Sequence, residues 1–251
     1  MNIKETIQYG SNRLNKIDSA TLDAELLLSF ALNKDKEYLY THSEKEINKK
    51  KLNKYFKLIK KRAKYIPIAY LLGYKEFYGL KFKVNKHVLI PRPLTEEIVD
   101  KAINVIKKNN DISNIVEIGT GSGAIIVALA NKLNCNKYNF YATDISSKAL
   151  KVAKYNAKKN NVKRYITFKK GNLIKPVKDL KIDLLLTNLP YLNKDDLREP
   201  SIKYEPKKAL LEKNHYKKLF KQIKKYLLKA PIIIYENKNG ITIQKLDKYN
   251  H

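Results

Sequence analysis

The length, composition and charge of the chain set the first limits. Its 251 residues, 43% of them hydrophobic, suffice for one large domain or for a domain with a smaller companion. The single cysteine, Cys135, excludes an intramolecular disulfide, and the four histidines lie too far apart in sequence to suggest a metal site. No apolar run reaches the roughly 20 residues of a membrane helix, and no signal-peptide core is visible. We therefore expect a cytoplasmic protein without a membrane segment.

The formal net charge of +28 comes mainly from lysine, because only five of the 52 basic residues are arginine. A charge of this size favours acidic partners through counterion release. Sites that read nucleic-acid bases rely heavily on arginine, however, and lysine is spread here over every segment. Two interpretations stay open: a solvated surface that reflects genome composition, or a basic surface that contacts RNA or the ribosome.

Residues 1–74 are predicted to form a small helical domain. Leucine and alanine recur at helical spacing in residues 21–32 and give this segment a broad apolar face. Ser43 and Glu46 match a capping box, which predicts a second long helix that starts there and ends before Pro67.

Residues 75–93 are predicted to form a linking β-hairpin. Apolar residues alternate with lysine from 80 to 84, residues 85–86 can turn the chain, and residues 88–90 can return it. The remaining residues, 94–251, begin with a helical pattern that carries acidic residues in its first turn, where the helix dipole favours them.

Within residues 94–251, helical segments separate five apolar runs. These runs are NIVEIG, YNFYATD, YITFKKG, IDLLLTNLP and APIIIYEN. Continuous apolar strands alternating with helices predict an α/β fold with a mostly parallel sheet covered on both faces. Ligands of such sheets bind beyond the carboxyl ends of the strands, near the point where the strand order reverses.

Two of these strand ends indicate a nucleoside-containing cofactor. The first run ends in EIGTGSG, whose glycines allow a sharp turn and a close approach of backbone to ligand. The spacing differs from the dinucleotide fingerprint and from the phosphate P-loop. The second run ends in Asp144, where a carboxylate can accept from ribose hydroxyls. An alternative role for Asp144 is to cap the helix that begins at Ser146.

These motifs together resemble a known family. EIGTGSGAI, ATDIS, KALKVAKYNA and NLPY resemble a Rossmann-like class I methyltransferase that uses S-adenosylmethionine. DAELLL, the long PIAYLLGYKEFYGLKFKVNKHVLIPRPLTEE and YEPKKAL resemble the N5-glutamine methyltransferases of peptide-chain release factors, so the resemblance spans residues 20–211. It implies release factors as protein partners and an N-terminal helical domain that recognises the substrate, followed by the hairpin linker and the methyltransferase domain. We also expect a monomer.

The resemblance also implies the roles of individual residues. The cofactor-binding residues would be Gly119, Thr120, Gly121, Ser122, Gly123, Asp144, Asn172, Leu173 and Asn188. The catalytic and substrate-binding residues would be Asn188, Leu189, Pro190 and Tyr191. The glycine loop would wrap the methionine part and the ribose of the cofactor, Asp144 would bind the ribose, and Asn172 and Leu173 would flank the adenine.

The NLPY motif suggests how a poor nucleophile could be methylated. The nitrogen of an amide is weakly nucleophilic because its lone pair is delocalised into the carbonyl. The Asn188 side-chain oxygen and the carbonyl of residue 189 could accept the two N–H groups and aim the nitrogen at the methyl donor, while Tyr191 packs against the amide plane. Catalysis would then consist mainly of positioning.

Two departures from the family pattern bear most on the function. Leu189 replaces the first proline of Asn-Pro-Pro-Tyr, and Asn-Leu-Pro-Tyr is typical of rRNA adenine dimethyltransferases, which hold an adenine amine similarly. The sequence after APIIIYEN is also short, so we expect an incompletely covered sheet edge with at most a short strand at 241–245. The alternatives are therefore an rRNA adenine or other amino-group methyltransferase, or a degenerate non-catalytic cofactor-binding protein.

Overall fold

The computed structural model describes residues 1–193, 199–211, 214–227, 229 and 231–245. Contacts divide them into two compact units, the first comprising Met1–Gly73 with Glu199–Tyr204 and the second comprising the other described residues. None of the helices in these ranges is long and apolar enough to cross a membrane.

The first unit is a bundle of helices. They are α1 (Ile3–Arg13), α2 (Ala20–Leu32), α3 (Lys36–Thr41), α4 (Lys49–Arg62) and α5 (Ile68–Leu72). The two long predicted helices correspond to α2 and α4. Helix α2 contributes to the core through four buried side chains, which are Ala24, Leu27, Leu28 and Ala31. Asp23 is also buried, and its carboxylate pairs with the Arg62 guanidinium at 2.6 Å, which compensates the buried charge.

The predicted capping box at Ser43 and Glu46 is wrong. Asn48 caps α4 by accepting from the backbone N–H of Lys51 at 3.0 Å. Residues 43–47 instead form a turn and an isolated bridge, and they exchange backbone hydrogen bonds with residues 1–4. A capping box does occur at α1, where Asn2 and Glu5 each accept from the backbone of the other.

The hairpin lies earlier in the chain than predicted. Strand β1 (Tyr74–Phe77) pairs antiparallel with β2 (Leu80–Lys83), so the prediction that residues 88–90 form the return strand is wrong. The connection is a two-residue turn in which Tyr78 and Gly79 have positive φ angles of 52° and 73°. Such turns match the twist of a hairpin, and glycine permits the left-handed backbone at its second position.

The second unit contains the predicted α/β sheet. Its elements after the hairpin are α6 (Glu96–Lys108), β3 (Asn114–Ile118), α7 (Ala124–Lys132), β4 (Asn139–Asp144), α8 (Ser147–Lys159), β5 (Ile166–Lys170), β6 (Leu184–Thr187), α9 (His215–Tyr226), β7 (Ile232–Asn237) and β8 (Gly240–Lys245). The strand order is β5-β4-β3-β6-β7-β8, with β8 antiparallel to β7 and all other pairs parallel. The fold class predicted from the sequence is confirmed.

This topology fixes where a ligand can bind. The chain leaves β3 toward β4 and β5 on one side and later returns to add β6 and β7 on the other side. The strand order therefore reverses between β3 and β6, and a crevice opens beyond their carboxyl ends. EIGTGSG begins with the last two residues of β3, and TNLPY begins with the last residue of β6, so the two motifs face the same crevice.

Strand β8 confirms the short strand expected at 241–245, and it is the edge strand of the sheet. It pairs with β7 along its whole length, from Ile232 opposite Lys245 to Asn237 opposite Gly240. The edge strand of the sheet is therefore β8, whose side chains are partly exposed, and the more apolar β7 lies inside the sheet. Residues 246–251 of the predicted domain lie outside the described residues.

Candidate active site

A cavity of about 360 Å³ lies beyond the carboxyl ends of β3 and β6. It brings together ten of the residues predicted from the sequence: Gly119, Thr120, Gly121, Ser122, Asp144, Asn172, Leu173, Asn188, Leu189 and Pro190. Gly123 and Tyr191 are not among the described residues that line it. The predicted cofactor loop and the predicted substrate motif thus share one cavity.

The glycine loop is held by hydrogen bonds to β4. The backbone N–H groups of Gly119 and Thr120 both donate to the Thr143 carbonyl at 2.9 Å, and that of Gly121 donates to the Asp144 carboxylate at 2.9 Å. Gly119 has a φ of +73°, and a Cβ there would lie 3.0 Å from the Leu189 side chain. Glycine is therefore needed at 119 both for the backbone conformation and for the close approach of the two motifs.

Gly123 lies behind this loop. It caps the N-terminus of α7 with a φ of +80°, and a Cβ there would lie 3.1 Å from the Ala153 side chain. Its evident role is close packing between α7 and α8. Its predicted contact with a cofactor stays a prediction.

Asp144 organises the loop rather than capping a helix. One carboxylate oxygen accepts from Gly121 and the other from the backbone N–H of Ser146 at 2.8 Å. The cap of α8 is the Ser146 hydroxyl, which accepts from Ala149 at 3.2 Å, so the helix-cap alternative for Asp144 is wrong. Burial raises the pKa of the Asp144 carboxyl, and the backbone donors oppose this shift. Each oxygen keeps a lone pair with which to accept from a ligand hydroxyl.

Glu117 is a buried carboxyl that sequence reasoning did not assign to the site. It lines the cavity at the end of β3 and accepts from the Thr120 hydroxyl at 2.5 Å and from the Ile126 backbone at 3.3 Å. Burial raises its pKa to about 8, and the nearby charge of Asp144 adds to the increase. At neutral pH this carboxyl is therefore largely protonated when no cation is beside it.

The Asn188 side chain has a fixed orientation. Its Nδ2 donates to the Glu236 carboxylate at 2.8 Å and to the Thr95 hydroxyl at 3.1 Å, and Thr95 itself donates to Glu236 at 2.6 Å. Glu236 and Thr95 are both buried. Because the nitrogen of Asn188 is engaged on this side, its Oδ1 is the atom left to accept from a ligand.

The other two polar contacts of the motif lead to the same region. Tyr191 donates its hydroxyl to the second oxygen of Glu236 at 2.7 Å, and burial together with that carboxylate raises the Tyr191 pKa. The backbone N–H of Leu189 donates to the Tyr216 hydroxyl at 3.1 Å, and Tyr216 donates to the main-chain carbonyl of Glu236. The predicted packing of Tyr191 against a substrate amide stays a prediction.

Sequence reasoning missed Thr95, Tyr216 and Glu236. Glu236 had a usable signal, because it ends the apolar run IIIYE and the carboxyl ends of parallel strands meet at one edge. No such signal in the sequence indicates Thr95 or Tyr216, because neither residue lies at the end of an apolar run.

Asn156 holds the glycine loop through hydrogen bonds to the main chain. This fully buried side chain donates to the carbonyls of Ser122 at 2.8 Å and Lys83 at 3.0 Å, and it accepts from the Lys83 N–H at 2.8 Å. It therefore fastens the hairpin strand β2 and the glycine loop to the same residue of α8.

Two of the motifs that carried the family resemblance also meet beside the cavity. The buried Glu205 carboxylate accepts from the Ile90 N–H at 2.9 Å and pairs with the Arg92 guanidinium at 2.6 Å. This pair holds the IPRP segment against the EPKKAL segment, and Arg92, Pro206 and Lys207 line the cavity.

Comparison with known proteins decides the family. Residues 5–73 match the model of the PrmC N-terminal domain, and residues 108–245 match that of a methyltransferase domain. The release factor glutamine methyltransferase of Borreliella burgdorferi is 37% identical over 94% of this chain and 82% of its own length. The chain belongs to the release factor glutamine methyltransferase family. The family member of Dictyoglomus turgidum is likewise 37% identical, over 89% of this chain and 81% of its own length.

Some relatives are much longer than this family member. The bifunctional methyltransferase of Rickettsia bellii is 35% identical over 93% of this chain, but the match covers 48% of that protein. The chain thus spans about half the length of the Rickettsia relatives. The matches confirm the predicted family, the methyltransferase domain and S-adenosylmethionine as its cofactor.

Proposed function

We propose that this protein methylates the side-chain amide nitrogen of the glutamine in the Gly-Gly-Gln loop of peptide-chain release factors. The observation that carries the proposal is the orientation of Asn188. Its nitrogen is held by Glu236 and Thr95, so its oxygen is presented as an acceptor in a cavity shared with the glycine loop. An acceptor in this position suits a substrate that offers N–H groups.

The residues around the cavity fit S-adenosylmethionine. The bare backbone of the glycine loop admits a close ligand, and the Asp144 oxygens can accept from the ribose hydroxyls. Asn172 and Leu173 would flank the adenine, and the exposed side chain of Ile145 offers a further apolar contact on the same wall. The bound cofactor would supply an electrophilic methyl group on a positively charged sulfur.

The chain itself would contribute the orientation of the acceptor nitrogen. Asn188 Oδ1 and the Leu189 carbonyl would accept the two N–H groups of the glutamine amide and turn its nitrogen toward the methyl carbon. The bound cofactor would supply the methyl group and would keep the electron pair of its carbon–sulfur bond, and the amide nitrogen, turned toward that methyl group, would give up one proton to water. Held in line for attack, even a weak nucleophile gains several orders of magnitude in rate.

The two units would have different functions, substrate recognition and methyl transfer. We propose that residues 1–74 recognise the release factor, that residues 75–93 link the domains, and that residues 94–251 carry out the transfer. The match of residues 5–73 to the PrmC N-terminal domain supports this assignment, and so does the alignment of a release factor glutamine methyltransferase with 94% of this chain.

An adenine amine of ribosomal RNA is the second candidate acceptor. It too offers two N–H groups to Asn188 and Leu189, and the motif has the form Asn-Leu-Pro-Tyr. Lys86, Lys207 and Lys208 line the cavity mouth, where they could contact phosphates. The extended basic surface predicted to contact RNA or the ribosome would act in the same way.

The test offers three acceptors in parallel with radiolabelled S-adenosylmethionine: a purified release factor, its Gly-Gly-Ala variant and ribosomal RNA. Label on the release factor that disappears with the Gly-Gly-Ala variant supports the proposal. Label on RNA alone would replace it with the adenine reaction. Label on neither, with cofactor binding intact, would indicate a non-catalytic cofactor-binding protein. Asn188→Ala serves as the control, since it should abolish transfer while leaving the affinity for S-adenosylhomocysteine largely intact.

A further inference from the structure

We propose that Glu236 is the positioning residue of this site and that it fixes both acceptor groups of the NLPY motif. The inference rests on the proposed function. Glu236 lies near the end of β7 and is 1% exposed; its carboxylate contacts the motif directly, and its main-chain carbonyl is linked to the motif through Tyr216. These two contacts act on two different acceptors.

The carboxylate determines which way the Asn188 amide faces. A side-chain amide can rotate so that its oxygen and nitrogen exchange places, and the nitrogen is preferred wherever the neighbour is an acceptor. The Oε2 atom of Glu236 lies 2.8 Å from Asn188 Nδ2. The reversed amide would place oxygen against a buried carboxylate oxygen, which is strongly unfavourable where water cannot screen the contact. Asn188 must therefore direct its oxygen toward the cavity.

Two further donors hold the carboxylate itself. The Thr95 hydroxyl donates to Oε2 at 2.6 Å, and the Tyr191 hydroxyl donates to Oε1 at 2.7 Å. With Asn188, three donors therefore point at Glu236, and an ionised carboxylate has acceptor sites for all of them. Tyr191 thereby contributes to the site through Glu236.

The main-chain carbonyl of Glu236 fixes the second acceptor through Tyr216. The Tyr216 hydroxyl donates to this carbonyl and accepts from the Leu189 N–H at 3.1 Å. A proline at 189 would lock its own φ and have no N–H to donate. Here leucine supplies an N–H, and Tyr216 ties that N–H to β7. The hydroxyl bridge thus replaces the constraint that proline gives in the Asn-Pro-Pro-Tyr form.

The role of the Glu236 carboxylate is tested by exchanging the charged and the amide side chain between positions 236 and 188. In Glu236→Gln the new amide can donate to Asn188, which allows Asn188 to present its nitrogen to the substrate. We expect kcat to fall about 100-fold, with the Kd of S-adenosylhomocysteine and the KM of the release factor changed less than threefold. Asn188→Asp places two carboxylates together and should be similarly impaired.

Combining the two changes should restore activity. In Asn188→Asp/Glu236→Gln, the glutamine donates to the aspartate, which again presents an acceptor oxygen to the substrate. We expect the double variant to exceed either single variant at least tenfold in kcat. Independent losses that simply multiply in the double variant would overturn the proposal, because they would show that the two side chains do not act on each other.

Asp183→Asn is the matched control for a general structural effect. Asp183 directly precedes β6, at the end of the strand that lies away from Asn188, and it accepts from Ser113 and Asn114. This variant should lose stability but keep its kcat. A loss of kcat equal to that of Glu236→Gln would mean that any weakening of the sheet impairs transfer, and it would contradict a specific role for Glu236.

The orientation of Asn188 can also be measured without turnover. In wild-type protein labelled with ¹⁵N-asparagine, the side-chain N–H₂ signal of Asn188 should exchange slowly with solvent, and Glu236→Gln should accelerate this exchange at least tenfold. Fast exchange in the wild type would overturn the proposal whatever the acceptor of the methyl group. Slow exchange in a wild type that does not methylate release factors would instead support the role of Glu236 and reject the proposed substrate.

Discussion

The buried Glu117 carboxyl predicts a specific pH dependence of stability. Its pKa is about 8 in the folded protein, against an ordinary value of 4.5. Below pH 4.5 the group is protonated in both the folded and the unfolded chain, so its burial costs no ionisation energy. Above that pH the unfolded chain loses the proton first. Stability therefore falls as the pH rises from 4.5 toward 8 and is independent of this group at higher pH.

The magnitude follows from the same two values. A difference of about 3.5 pH units, at about 1.4 kcal/mol per unit, makes the folded state about 5 kcal/mol less stable above pH 8 than it would be with a permanently neutral group. Glu117→Gln provides such a group, and its amide oxygen can still accept from Thr120 and Ile126. The unfolding free energy of this variant minus that of the wild type should therefore increase by about 3 kcal/mol between pH 5.5 and 7.5.

Hydrogen exchange of the β3 and β4 amides, followed by mass spectrometry without cofactor, reports the opening of this sheet. Wild type and variant are compared at each pH, so the intrinsic pH dependence of exchange cancels. Other titrating groups, including Asp144, are common to both proteins. A difference between the two proteins that stays constant from pH 5.5 to 7.5 would contradict this prediction, because it would mean that Glu117 is already ionised in the folded state.

Three further substitutions test other parts of the structure. Tyr55→Phe should stabilise the first unit by about 1 kcal/mol, because the buried Tyr55 hydroxyl finds no hydrogen-bond partner among the described residues; a lower melting temperature would contradict this. Asn156→Ala should lower the unfolding free energy by at least about 2 kcal/mol, because it leaves backbone groups of Lys83 and Ser122 unpaired. Unfolding in urea measures this loss, and a change within experimental error would mean that water replaces the hydrogen bonds of the side chain. In Asp144→Asn an amino group replaces one carboxylate oxygen, so the side chain can no longer accept from both Gly121 and Ser146. Calorimetry should then show binding of S-adenosylhomocysteine at least tenfold weaker, and an unchanged Kd would show that Asp144 does not belong to the cofactor site.

The sheet and the place of the site are predictable from the sequence because both depend on local patterns. Apolar runs alternating with helical segments identify parallel strands, and the carboxyl ends of such strands meet at one edge. The positions of EIGTGSG and TNLPY at two such ends are therefore enough to predict that they lie together. The same rule identifies Asp144, although it does not predict the hydrogen bonds of this residue to Gly121 and Ser146.

The errors and omissions concern contacts between distant parts of the chain. The Ser43 and Glu46 pattern is typical of a helix start, but backbone pairing with the N-terminus takes priority there. The predicted hairpin is displaced because the alternation in residues 80–84 does not identify the partner strand. The contact between Thr95 and Glu236 joins residues 141 positions apart, which no local pattern encodes.

The most direct test of the proposed function is to locate the transferred methyl group. A purified release factor incubated with the protein and S-adenosylmethionine is digested and analysed by tandem mass spectrometry. We expect the added mass of one methyl group on the side chain of the Gly-Gly-Gln glutamine, and we expect no added mass with Asn188→Ala. A methyl group on any other residue, or an unmodified release factor beside methylated RNA, would contradict it.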